Sequence, residues 1–193
     1  MSKSDPASSK KERNKTIKWV VTIFLVTILI SGIISLVSDE IMAASSIGVA
    51  FVILMIIVLI GILFDIVGVA VTSAEEKPFH SMAARKVPGA QESIRLLRNA
   101  ERVSSICNDV VGDICGVVSG SASATIAAQV LQNFEFSWPR IVTLVMSALV
   151  AGLTVGGKAV GKTFAIGSCT EIVTFVGKTI YFMRHFKDLF KKK

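Results

Sequence analysis

Residues 47–71 read IGVAFVILMIIVLIGILFDIVGVAV, an apolar run interrupted only by Asp65. As a helix rising ~1.5 Å per residue, such a run is about 38 Å long and can cross a hydrocarbon core of roughly 30 Å. The whole chain agrees. Its 193 residues are 52% hydrophobic and only 18% charged, with a mean hydropathy of +0.66, a balance that few water-soluble folds carry. A soluble enzyme, a disulfide-stapled secreted module and a disordered nucleic-acid tail all fit poorly, since each needs more polar surface, more cysteine or fewer apolar residues. The expected class is an all-α integral membrane protein with four transmembrane helices and juxtamembrane amphipathic helices.

Working outward, residues 17–37 form an apolar run, charged only at Lys18, long enough to be a first span. A secretory signal peptide competes for this segment, because a basic start precedes it and small residues follow near Ala43, but the apolar stretch is too long for that. Residues 1–16 are polar and basic and are expected to be a disordered cytoplasmic tail. Third and fourth runs cover about 103–131 and 141–165, the latter entered through Pro139, which suits a helix start. The membrane domain thus extends over 17–190. Segments 75–102 and 166–190 mix charges with apolar residues and read as amphipathic surface helices, the first broken near Pro88-Gly89.

The distribution of basic residues sets the orientation. Residues 1–18 carry six Lys or Arg, 72–102 six and 162–193 seven, whereas the two intervening loops hold only Arg140, at a helix margin. Both termini are therefore expected in the cytoplasm of a bacterial-type inner membrane. The net charge of +7 reads as positive-inside bias and attraction to anionic lipid, so the bilayer is the expected partner and nucleic acid is not.

Four ionisable groups lie inside these spans: Asp65, Asp109, Asp113 and Lys158. A charge at the bilayer centre costs about 2.5–3.5 kcal/mol on insertion scales, so such groups normally face a partner or a wet cavity. All four fall in the cytoplasmic halves of their helices, which makes one shared polar site plausible. Asp109 and Asp113 stack on one helix face at four-residue spacing, with Asn108 and Ser105 beside them. Oxygen ligands of this kind suit a hard cation such as Mg²⁺. The alternative is a structural cluster in which Lys158 neutralises the aspartates, or a depth that leaves Asp109 at the interface.

Gly112, Gly116 and Gly120 repeat at four-residue spacing, and Gly157 and Gly161 repeat it in the fourth span, spacings that permit close helix packing in lipid. Residues 156–163, GGKAVGKT, formally match the phosphate-binding loop G-x-x-x-x-G-K-[ST]. That loop needs a strand-to-helix junction, and none surrounds it here. His80 and His185 are isolated, and Cys107, Cys115 and Cys169 lack metal-site spacing and read as small buried residues. No catalytic constellation is present, so no enzyme activity and no firm cofactor are expected.

Four segments together resemble a known family: FDIVGVAVTSA (64–74), the amphipathic stretch ending LLRNAERVSS, CNDVVGDI (107–114) and GKAVGKTFA (157–165). In order they are similar to the membrane domain of the CNNM/CorB/CorC magnesium and cobalt transport proteins, over about residues 50–190. The family patterns are approximately F-S-G-S-E-T-A-L-T-S, L-x-x-N-P-x-R-x-L-S, G-N-x-x-x-N and G-E-[IL]-x-P-K-[ST]. The resemblance implies a homodimer enclosing a dehydrated Mg²⁺ site, with Mg²⁺ as substrate. Asn108 matches the first Asn of the third pattern, Asp113 stands one residue beyond the place of the second and is taken for it, and Gly157 and Lys162 match the outer residues of the fourth. The chain departs where Lys158 replaces the acidic residue, Gly161 the proline, and Ile66 to Gly68 the Ser and Glu of the first pattern. An ammonium in a ligand position would occupy or repel the cation. No CBS-pair segment follows, so nucleotide-coupled regulation would need another chain.

Two functions are therefore expected in competition. One is a divalent cation (Mg²⁺/Co²⁺) transport-type protein using Asp65, Asn108, Asp109 and Asp113, with Lys158 as counterion. The other is a non-transporting interaction or regulatory subunit of the same fold, serving a separate cytosolic or membrane partner.

Overall fold

The computed structural model describes residues 6–134 and 138–190, and every element among them is helical. Helix α1 spans Pro6–Ala43, α2 Ile47–Ser73, α3 Lys77–Ala84 and α4 Ala90–Arg98. A third long helix is built of three pieces. These are α5 (Ala100–Ser105), a π-helical segment (Ile106–Gly112) and α6 (Asp113–Asn133). Helices α7 (Pro139–Gly167) and α8 (Cys169–Phe190) complete the chain.

Four helical stretches are long and apolar enough to cross a membrane: Ile17–Met42, Ile47–Ser73, Ala100–Asn133 and Pro139–Gly167. This is a multi-pass, all-helical membrane architecture. Each helical stretch is longer than the apolar run that suggests it, because helices continue beyond the hydrocarbon into the headgroups. At the first span the helix reaches back to Pro6, through basic residues that composition alone assigns to a tail. That segment contains neither Gly nor an internal Pro to stop a helix already propagating from the span.

Helix α2 is central. Its inward stripe of Ala50, Leu54, Val58, Gly61, Asp65 and Gly68 is buried, at four- and three-residue steps that keep one face toward its neighbours. The N-terminal half of this stripe packs with Met42, Ala122, Ile126 and Val150. Small residues on α6, including Ser119, Ala122, Ser123 and Ala127, are buried and let the two backbones approach. The opposite faces carry exposed Phe24, Leu29, Leu63, Leu144 and Val160, as lipid-facing surfaces should.

Beneath the spans, α3, α4 and α8 close around the end of α2 in a second core of Ala70, Val71, Phe79, Leu97, Ala165 and Val173. The chain bends between α3 and α4 through Lys86 (φ 57°) and Gly89 (φ 86°), at the Pro88-Gly89 break that the sequence marks. Gly89 is also where α8 comes closest: a Cβ there would lie 2.5 Å from the Lys178 nitrogen. Buried Ser93 secures the contact by donating to the Val173 carbonyl at 3.1 Å.

Candidate functional site

The candidate site lies where α2, α7 and the π segment meet. Glycines on α7 set the approach: the side-chain space of Gly157 is filled by Ile62, and a Cβ on Gly161 would fall 2.8 Å from Ile66 Cγ1. This close packing brings Lys158 to α2, where its Nζ stands 3.9 Å from Asp65 Oδ1. The Asp65 side chain is only 6% exposed and that of Lys158 22%. Asp65 lies eight residues before the end of α2 and Lys158 nine before the end of α7, both about 12–14 Å from those ends.

The third helix contributes Asn108, one helical turn further along from Asp65 where Gly68 leaves space. A Cβ on Gly68 would overlap the Asn108 amide, 2.8 Å from its Cγ. Asn108 donates through Nδ2 to Ser104 Oγ at 3.2 Å. Its Oδ1 is buried without a hydrogen-bond partner, and so is Asp65 Oδ2. Beside them Gly112 leaves room for the lysine: its absent Cβ would lie 3.2 Å from Lys158 Nζ and 3.4 Å from the Cys107 carbonyl oxygen. The site therefore offers one carboxylate, one amide oxygen and one nearby ammonium, with two acceptor atoms unused.

Asp109 and Asp113 do not join this group. Both are exposed, and Asp109 Oδ2 accepts a 2.7 Å hydrogen bond from Ser105 Oγ. They share a face, as their spacing requires, but Asn108, Gly112 and Cys115 occupy the inward one. Among the described residues no set of three or more His, Cys, Asp or Glu is placed to hold a metal ion.

Of the remaining glycines, Gly112, Gly157 and Gly161 pack against other helices, whereas Gly116 and Gly120 face open space. The GGKAVGKT stretch lies wholly inside α7, where helix hydrogen bonds use the backbone N–H groups that a phosphate loop would present. Thr163 turns back to the Ala159 carbonyl at 3.4 Å. The three cysteines are free, Cys107 being buried, and Cys115 Cβ sits 2.9 Å from where a Gly61 Cβ would be. His80 meets Glu76 at 3.1 Å on the surface, while His185 stacks on Tyr181 with centroids 4.0 Å apart.

The roles of Gly68 as the seat of Asn108 and of the π segment were not readable from sequence. Glycine in an apolar run is common, and no residue pattern distinguishes seven π-helical residues from an α-helix. A second polar group, at the C-terminal end of α1, is likewise marked by no pattern in the sequence. Ser121 donates to Asp39 at 3.0 Å and Gln129 to the Met42 carbonyl at 2.7 Å, tying the end of α1 to α6.

No protein-family model matches this chain, and neither a curated protein nor a solved structure matches it.

Proposed function

We propose that this protein is a divalent-cation transport-type membrane protein, handling Mg²⁺ or Co²⁺, of the kind its sequence resembles in the CNNM/CorB/CorC membrane domain. The observation that carries the reading is the pair of buried acceptors without partners, Asp65 Oδ2 and Asn108 Oδ1. A carboxylate in a span is costly, and leaving one of its oxygens unsatisfied adds to the cost, so such an atom is a place for a cation. One carboxylate and one amide oxygen suit Mg²⁺ in particular, since it keeps several waters rather than requiring a full protein cage.

The chain then sits in a bacterial-type inner membrane with both termini cytoplasmic, and works as a homodimer. Exposed Asp109 and Asp113 lie at about the depth of the site on the outward face of the third helix and add negative charge that attracts cations toward it. Transport proceeds by alternating access, with α2 and α7 changing their relative position around Asp65.

A non-transporting regulatory subunit is the second reading, favoured by one observation: Lys158 already lies beside the site carboxylate at 3.9 Å. Purified protein in proteoliposomes separates the two. Uptake of Mg²⁺ or Co²⁺ that Asp65→Asn abolishes, and Asp113→Ala reduces, supports transport. No uptake by folded wild-type protein in either orientation would leave the regulatory reading.

A further inference from the structure

We infer that Lys158 is a tethered stand-in for the transported cation, holding its place beside Asp65 in the empty site and withdrawing when the cation binds. This rests on the transport reading and adds to it a residue that governs release. An ion pair kept only for packing would satisfy its buried acceptors, because an unsatisfied one in a low-dielectric site is costly. Here the ammonium stands 3.9 Å from Asp65 Oδ1, beyond the ~2.7–3.2 Å of a direct N–H···O hydrogen bond, and Asp65 Oδ2 and Asn108 Oδ1 have no partner. The lysine neutralises the carboxylate without filling its coordination sites.

The surroundings give the ammonium somewhere to go. Nζ borders Gly112, where a side chain would intrude to 3.2 Å, and the Cys107 carbonyl oxygen borders the same space. A lysine stem is long and flexible, and its three donors rotate freely. With 22% of the side chain exposed, it is not fully enclosed and can shift toward that carbonyl. A divalent cation at Asp65 and Asn108 repels the ammonium into this space. When the cation departs, the ammonium returns and lowers the affinity of the carboxylate for the next one. Lys158 thereby trades tight binding for release.

The test compares Mg²⁺ binding and Mg²⁺ flux in wild type and Lys158→Met, with Asp65→Asn as the site-dead control. Removing a like charge a few ångströms away is expected to tighten Mg²⁺ binding by about tenfold or more, while steady-state flux falls. Unchanged binding, or binding lost as in Asp65→Asn, would overturn the proposal. Flux by wild type that Lys158→Met leaves intact would overturn it too, yet leave transport standing. Absence of binding and flux in every folded variant would remove transport and this inference together. Should Lys158→Met fail to fold, amine labelling of wild-type Lys158 decides. Saturating Mg²⁺ should raise its reaction with a small acylating reagent, read by mass spectrometry, and no rise would refute the withdrawal.

Discussion

At Asp65 a structural cost coincides with the role proposed for the site. Its carboxylate is buried and neutralised at a distance, so removing Lys158 alone leaves a charge without compensation, at a cost of about 3–5 kcal/mol. Lys158→Met should therefore unfold more readily in micelles, and added Mg²⁺ should restore more stability to it than to wild type. The double variant Asp65→Asn/Lys158→Met, neutral throughout, should fall close to wild type in a denaturant titration; equal losses in single and double variants would refute the coupling. At Gly68 the physics is steric. Gly68→Ala puts a methyl into the Asn108 amide and should cost about 1–3 kcal/mol through overpacking, with Mg²⁺ affinity falling alongside.

At the scale of elements, what matters is which glycines are contacts. Gly161 is filled by Ile66, whereas Gly120 has nothing within 4 Å of its absent side chain. Gly161→Val should then destabilise by roughly 1–3 kcal/mol, while Gly120→Ala should stay within about 0.5 kcal/mol of wild type or gain slightly from helix propensity. Unfolding curves of the two variants check this, and identical behaviour would contradict the packing described. The joint between α4 and α8 is more sensitive. Gly89 combines φ 86° with a contact to the Lys178 backbone, so Gly89→Ala should cost more than about 2 kcal/mol. Hydrogen exchange should then quicken in α4 and α8 but not in α6.

For the molecule as a whole, the consequence is topology. On the proposed orientation, with both termini inside, the α1–α2 connection at Ala44 and the residue before α7, Trp138, would face the outside, and Ser81 on α3 the cytoplasm. In a variant without the three native cysteines, Ala44→Cys and Trp138→Cys should react with an impermeant maleimide on intact cells. Ser81→Cys should react only after permeabilisation, and the reverse pattern would invert the orientation. Helix α1 belongs to this assembly rather than standing apart. Arg102 lies over Trp19 at 5.7 Å near the start of its apolar stretch, and Asp39 and Met42 hold its C-terminal end against α6.

Residues 47–71 alone determined that α2 spans a membrane, because an apolar run of that length has no other low-energy solvent, and backbone polarity then demands a helix. The remaining spans, the break at Pro88-Gly89 and the placing of Asp65, Asp109, Asp113 and Lys158 at similar depths followed from hydropathy, turn chemistry and helical rise, all of which act locally. Only the tertiary structure decided which neighbouring polar side chain faces inward. Asn108 and Asp109 are adjacent in sequence, yet helix phase and the π-helical winding bury part of one and expose the other. Contacts across helices, such as Asn108 over Gly68 and Lys158 over Gly112, depend on interhelical distance and rotation. Those quantities are set jointly by residues far apart in the chain, so no single stretch of sequence contains them.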